Sequence, residues 1–328
     1  MKIVCIGGGT GLHAMLSGLK VHLPGAELAA VVTMMDSGSN SGQLRDEYGY
    51  LPPGDVRQCL VALSDASIEL RQLMQHRFTN GSLDGHVVGN MLLTALKNLH
   101  GDEFEAIKAM ERILHLRGSV YPVTVDDAHV VAQLEDGTIL RGEGKLFTPE
   151  HGGRRITRVG LEPQPFLFPP TRKTFAEADY IIIGPGGLHN SLLPNILVAG
   201  MVETLREAKG RGARIVLVVN TMTKHGDTDG FKASDFREMI QQALDGVKLD
   251  AVICNTGAFP VEQLVPYAAE KAAPVECDLE TKDDLLVVTG DFVPRESFVK
   301  HGKPSFARHD PKKLAAAIEE TIRLLPKQ

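Results

Sequence analysis

Hydrophobic positions along the chain change period several times, and each change marks an element. Lys2–Ile6 (KIVCI) is a short, mostly apolar run that reads as a buried strand. Gly7–Gly11 is a turn, and over Leu12–Leu23 the leucines at 12, 16 and 19 return to one face at helical spacing. Glu27–Met35 (ELAAVVTMM) is a second strand-like run. Strand, helix and strand in this order make a βαβ unit, whose parallel strands are joined by a right-handed crossover. The polar stretch Asp36–Gly54, rich in Gly, Ser and Pro, follows as a long loop. Loops of that length in compact domains are functional or disordered. Val56–Leu63, Ile68–Arg77, Val87–Leu99 and Glu103–Leu116 read as helices.

The period then shortens to two. Val120–Thr124, His129–Leu134 and Ile139–Glu143 alternate as strands, with Glu135-Asp136-Gly137-Thr138 as a hairpin turn. Residues near 118–175 therefore read as a β-rich insertion or cap. Beyond it the α/β pattern returns. Tyr180–Ile183, Ile215–Val219, Ala251–Cys254 and Leu285–Val288 are the strands, and Ser191–Ala208, Ala233–Leu244 and Val261–Ala272 are the helices between them. Pro311–Leu325 makes a final amphipathic helix. No internal repeat or low-complexity tract interrupts this order. The expected fold class is α/β: a doubly wound, Rossmann-like parallel sheet with helices on both faces, drawn from both ends of the chain. Residues 1–328 are expected to form one domain carrying the small β-rich insertion.

Composition narrows the function classes. Hydrophobic residues make up 43% of the 328 positions and charged residues 23%, enough for a sizeable core. The formal net charge of −6 argues against nucleic acid and membrane surfaces as partners, since both select a basic excess. No apolar run approaches membrane-spanning length, so no membrane insertion is expected. Cys5, Cys59, Cys254 and Cys277 form no CxxC pair, and the chain enters its first strand with no signal peptide. A reducing, cytoplasmic setting is the expectation.

An anionic ligand must then find a local positive field. Gly7-Gly8-Gly9-Thr10-Gly11 stands between a strand and a helix, where backbone N–H groups and the positive helix end converge. Gly8, Gly9 and Gly11 permit close approach of an oxyanion, and Thr10 adds a hydroxyl. The spacing is not the dinucleotide fingerprint, because Leu12 stands where a third glycine is required, and no Gly-Lys-Ser/Thr follows as in a Walker A loop. A plain NAD-dependent dehydrogenase is correspondingly a weak reading.

Asp36 ends the second strand where a Rossmann acid grips a ribose. Ser37, Gly38, Asn40, Ser41 and Arg45 in the run after it offer hydroxyls, backbone donors and a guanidinium. The same residues also suit a helix cap and a surface loop. Gly54 and Asp55 turn the chain into a helix. Asp55 is either its cap or, with Asp36, a ligand of Mg²⁺ through water, a cation that takes one or two carboxylates plus ligand phosphates. Arg57 lies just inside that helix. His86 and Asn90 open another helix, as an anion donor and a base or sugar reader, or as structural residues. Gly184, Pro185 and Gly186 follow a buried strand, with Ser191 near the next helix start, and form a second strand–turn–helix anion site. Asn220 and Thr221 follow a third strand. At the carboxyl edge of one parallel sheet all three clusters would face one crevice.

These blocks appear together and in order: GGGTG, DSGSNSGQLR, LPPGDVRQCLVAL, GHVVGNMLLTAL, ADYIIIGPGGLHNSLLPNILV, VVNTMTKHGDTDGF and RHDPKKLA. In that combination, and over essentially its whole length, the chain resembles the CofD/YvcK family. Its departures are Ser39-Asn40 in place of a glycine, Gly187-Leu188-His189-Asn190-Ser191 in place of Ser-Leu-Tyr-Thr-Ser, and His225-Gly226-Asp227-Thr228 in place of a run closer to Gln-Pro-Gly-Glu-Thr. They leave the first turn intact and bear on ligand specificity.

The resemblance implies two functions. One branch of the family comprises 2-phospho-lactate transferases, which act in deazaflavin cofactor biosynthesis with a nucleoside-diphosphate leaving group and a divalent metal. The other comprises gluconeogenesis factors, which bind UDP-sugars and affect carbon metabolism, cell shape and cell-wall precursor use. The Tyr267 region and the RHDPKKLA ending favour the second. In that branch the segments of Tyr267 and Arg308 go with UDP-sugar binding, Tyr267 by stacking on uracil and Arg308 by pairing with a diphosphate. The first expectation is therefore a regulatory protein whose ligand is a nucleotide-sugar or another nucleoside diphosphate. The alternative is a transferase passing a phospho-lactyl group to a deazaflavin, in which positioning and a metal carry catalysis and no triad is needed. No catalytic residue is evident. The β-rich insertion is a candidate homo-oligomer or partner surface.

Overall fold

The computed structural model describes residues 1–35, 51–147, 151–282, 284–295, 299–300, 303–304 and 308–326. Its centre is a parallel sheet of seven strands, three of them from the first 122 residues. These are β1 (Lys2–Gly7), β2 (Glu27–Val32) and β3 (Ser119–Pro122). A separate antiparallel sheet follows, made of β4 (His129–Leu134), β5 (Ile139–Arg141) and β6 (Ile156–Glu162) in the order β5-β4-β6. The chain then returns to the main sheet through β7 (Tyr180–Ile183), β8 (Arg214–Val218), β9 (Ala251–Asn255) and β10 (Leu286–Gly290). Across the main sheet the order is β10-β9-β8-β7-β1-β2-β3, and every neighbouring pair is parallel.

This order explains both the composition of the strands and the place of the crevice. A parallel sheet covered by helices buries both faces, so its strands are continuous apolar runs. Ile3, Val4, Cys5 and Ile6 of β1 and Ile181, Ile182 and Ile183 of β7 are all fully buried. From β1 the chain winds one way to β2 and β3, then resumes on the opposite side at β7. The winding reverses between β1 and β7, and the loops leaving their carboxyl ends part there to leave a crevice.

The helix Gly9–His22 lies on one face and buries Leu12, Leu16 and Leu19, as its spacing requires. It meets the final helix Pro311–Leu324 closely, and any side chain at Gly18 would collide with the Pro311 carbonyl. Asp310 caps that final helix by accepting from the N–H groups of Lys312 and Lys313 at 2.9 and 3.0 Å. No described helix is long and apolar enough to cross a membrane.

Two elements differ from the sequence expectation. The alternation at Val120–Thr124 groups it with the β-rich insertion, but Ser119–Pro122 pairs in parallel with β2 as the edge of the main sheet. The antiparallel sheet is confined to β4–β6, where Val130, Ala132 and Leu134 alternate inward. Ser191–Ala208 is not one helix. A π turn over Leu188–Leu192 leads into the short helix Leu193–Ile196, and a second helix starts at Met201. Gly200 separates them at φ 91°, a left-handed conformation that no right-handed helix can pass through.

Candidate functional site: a cleft at the winding reversal

Strand β1 hands the chain to its helix through Gly8 and Gly9. The Gly7 carbonyl is held by the Thr33 N–H at 3.1 Å and by Asn195 Nδ2 at 3.0 Å. Gly8 is extended and carries no side chain to cap the helix, and Gly9 takes φ 65°. The leading amide N–H groups of Gly9–His22 thus face outward from the sheet edge, an arrangement that suits an anion. Gly11 serves a different need. A Cβ there would lie 2.6 Å from the Pro185 carbonyl oxygen, so only glycine lets the first turn rest on the second.

The second turn starts at Gly184, with φ 81°, and continues through Pro185 to Gly187. Asn220, from the end of β8, clasps it. Its Oδ1 accepts from the Gly186 N–H at 3.1 Å and its Nδ2 donates to the Gly186 carbonyl at 2.8 Å. Three strand ends are thereby tied into one floor.

Above that floor lies a cleft of about 740 Å³, within the range of small-molecule sites. It brings together many of the residues singled out from sequence. Gly8, Gly9, Thr10 and Gly11 line it, as do Pro185, Gly186 and Ser191 from the second turn. Asn220 and Thr221 line it from the third strand end, and Tyr267 and Arg308 from the far side. Asp55 reaches it from the helix Gly54–Leu63, with its carboxylate directly over Gly8, where any side chain would strike it.

Other residues are not brought in. Gly54 and Gly184 sit behind the lining rather than in it. Asn90 does not line the cleft either: it is buried, and its Oδ1 accepts from Arg57 Nε at 2.8 Å. An Arg among apolar neighbours needs a polar partner, and Asn90 provides it. Loss of solvation, with Arg77 nearby, lowers the Arg57 guanidinium to about 10 against the pull of Asp55. His86 stands one residue before the Val87 cap of the helix Val88–His100, and also outside the lining. Asp36, Ser37, Gly38, Asn40, Ser41 and Arg45 fall outside the described residues, and so does the Asp36 half of the suggested Mg²⁺ site. Among the described residues no group of three or more His, Cys, Asp or Glu side chains is arranged to hold a metal by itself.

The far side of the cleft has its own character. Tyr267 is 8% exposed, packs beside Met222 and meets Phe259 edge-on at 6.4 Å. Burial pushes its phenol up to about 12, so it stays protonated and presents a neutral ring. Arg308 remains accessible beside it.

Several lining residues lie outside the expected site residues, although the sequence marks His225–Thr228 as a departure that bears on ligand specificity. Lys224, His225, Asp227 and Thr228 come from the loop after β8, and Glu270 from the end of the Tyr267 helix. Asp227 is buried and hydrogen-bonded to His189 Nδ1, which ties this loop to the second turn. Desolvation lowers the Lys224 amine against the attraction of Asp227, Glu143 and Glu270. The position of the 224–228 loop, directly after a parallel strand, is the signal that could have found it. Glu143 and Asn190 also line the cleft, and no local pattern marks Glu143.

Residues 3–293 match the family model described as 2-phospho-L-lactate transferase CofD. The gluconeogenesis factor of Bacillus subtilis (strain 168) is 39% identical over 324 residues, covering 98% of this chain and 98% of that protein. The gluconeogenesis factor of Halalkalibacterium halodurans is 38% identical over 323 residues, covering 97% of this chain and 96% of its own. A crystal structure of a UPF0052 family member from Bacillus halodurans is similar with a TM-score of 0.87 at 36% identity, covering 97% of this chain and 99% of that one.

Proposed function

The chain belongs to the CofD family, and on that premise we propose that it is a nucleotide-sugar-binding regulatory protein of the gluconeogenesis-factor type. In this reading it binds a UDP-sugar and through it acts on carbon metabolism, cell shape and cell-wall precursor use. One observation carries the reading. Two glycine turns rest on one another at the winding reversal and share a cleft with an accessible Arg and a protonated, largely buried Tyr that lines it. The turns suit a diphosphate, Arg308 pairs with its charge, and the Tyr267 ring suits a flat base. The relatives named gluconeogenesis factor support the regulatory branch.

Titration with UDP-glucose, UDP-N-acetylglucosamine, NAD and GDP, each with and without Mg²⁺, tests the ligand. Incubation with a deazaflavin and a nucleotide-activated phospho-lactate donor then tests for transfer. UDP-sugar binding without turnover is expected. Turnover would move the protein to the transferase branch, and binding of NAD or GDP alone would remove the UDP-sugar.

The place of Asp55 gives a separate prediction. A diphosphate entering the first turn meets this carboxylate, and like charges 4 Å apart repel by about 1 kcal/mol in water and about 4 kcal/mol at an effective dielectric of 20. Mg²⁺ shared between Asp55 and phosphate oxygens would offset that repulsion. The natural protein is expected to bind UDP-glucose about tenfold more weakly in EDTA, and Asp55→Asn to lose little of that affinity. Equal sensitivity to EDTA in both, read by calorimetry, would take Asp55 out of any cation site.

A further inference from the structure

Among the described residues the β-rich insertion delivers one side chain to the cleft, Glu143, and its surroundings bear on what the ligand carries beyond its diphosphate. Glu143 opens the short turn Glu143–Phe147 after β5 and reaches the cleft wall. Its Oε1 accepts from Asn190 Nδ2 at 2.8 Å. Asn190 packs over Gly187, where any side chain would collide with its Oδ1, a buried oxygen with no hydrogen-bond partner among the described residues. The Glu143 carboxylate is thus oriented by one donor, and its second oxygen makes no hydrogen bond among the described residues.

The charges around it are unbalanced. Glu143, Asp227 and Glu270 all act on Lys224; with Asp227 buried and engaged by His189, the described residues leave Glu143 and Glu270 as the accessible carboxylates around one ammonium on this part of the wall. That is the opposite of an anion site. The positive field lies elsewhere, at the helix end by Gly9 and at Arg308. An ionised carboxylate only accepts hydrogen bonds, and sugar hydroxyls donate them. A carboxylate-rich wall also repels a ligand carboxylate.

We propose that Glu143 is a specificity-determining residue that reads the hydroxyls of an uncharged sugar carried on the diphosphate, and that the wall it belongs to rejects sugar acids. The inference rests on the reading of the cleft as a nucleotide-sugar site, and it adds a role for the insertion that the glycine turns do not imply.

The test compares UDP, UDP-glucose and UDP-glucuronate by calorimetry on the natural protein, Glu143→Ala and Glu143→Gln. The natural protein is expected to bind UDP-glucose about tenfold more tightly than either UDP or UDP-glucuronate, as one charge-assisted hydrogen bond allows. In Glu143→Ala the ratio of UDP-glucose to UDP affinity should fall towards one. Glu143→Gln keeps the shape and removes the charge, so it serves if the alanine variant misfolds, and it should narrow the gap between glucose and glucuronate. Unchanged ratios in the variants, with UDP-glucose still bound, overturn the role of Glu143 and leave the nucleotide-sugar reading standing. If the natural protein binds neither UDP nor UDP-glucose, both fall together.

Discussion

Gly11→Ala is expected to lower affinity for UDP-glucose by about a hundredfold, or ~2.7 kcal/mol, and to destabilise the protein by about 1–3 kcal/mol. The added Cβ would lie 2.6 Å from the Pro185 oxygen, 3.0 Å from its carbonyl carbon and 3.4 Å from the Gly186 nitrogen. All three are backbone atoms, so no side chain can swing aside. The second turn is held from behind as well. Gly186 is clasped on both sides by Asn220, and the Gly184 N–H donates to the Ile6 carbonyl at 2.9 Å. The two turns must therefore separate, and they are the floor on which a diphosphate would rest. Gly9→Ala provides the contrast. A side chain at Gly9 meets nothing closer than Asp55 Oδ1 at 3.7 Å, but the residue sits at φ 65°. An L-residue in that region costs roughly 1–2 kcal/mol without pushing the turns apart. Comparable losses of melting temperature with a much larger loss of binding in Gly11→Ala are expected. Equal affinities in the two variants would show that the contact between the turns is not what shapes the site.

The parts of the fold that could be read in advance are those decided by local pattern. The apolar runs at Lys2–Ile6, Tyr180–Ile183 and Ala251–Cys254 have room for only one interpretation, because a strand buried on both faces tolerates no polar alternation. The failures lie where tertiary context decides. Val120–Thr124 alternates no differently from His129–Leu134, yet Ser119–Pro122 pairs with β2 and His129–Leu134 with β5 and β6. Nothing in a strand's own residues states which neighbour it will take. Within 191–208 the hydrophobic spacing continues past Gly200 and predicts one unbroken helix, although a residue at φ 91° ends it.

The candidate site divides along the same line. Gly8–Gly11 and Gly184–Gly186 are legible because a strand, a glycine turn and a helix in succession place amide donors at one sheet edge, whatever the rest of the chain does. Asn90, which opens a helix beside a histidine, suits from sequence either a base or sugar reader or a structural residue. In the folded protein it is engaged by Arg57, thirty-three positions away, a partnership that depends on how two helices pack. Glu143 is the converse case. It stands in an unremarkable turn, and only the fold of the insertion against the second turn carries it to the cleft. The sheet thus lays down the diphosphate floor in a form that can be read from the chain, while the residues that discriminate between ligands arrive from elements folded over it.

Acid is expected to remove about 3 kcal/mol of stability between pH 6.5 and 4 through one imidazole, His309. The residue follows Arg308 and precedes Asp310, so it anchors the segment that presents Arg308 to the cleft and begins the final helix. It is 5% exposed and hydrogen-bonds the Val219 carbonyl, while its Nε2 is buried with no partner among the described residues. The neutral ring fits this setting, with one nitrogen donating and the other needing no acceptor. Protonation would create a second buried N–H with nothing to receive it, and desolvation accordingly lowers the group to about 4. The unfolded chain takes up the proton near 6.5, and the folded chain resists it until about 4. The contribution is therefore complete above about 6.5, declines as pH falls through the window, and is gone below about 4. Chemical denaturation at pH 7 and pH 4.5 should show this decline in the natural protein. His309→Asn keeps a donor for Val219 and has nothing to titrate, so its stability should change much less over the same interval. Desolvation also lowers His13 and His151, which leaves a residual slope of the same sign in the variant. A slope in His309→Asn equal to that of the natural protein would free His309 and the Arg308 segment from the acid sensitivity.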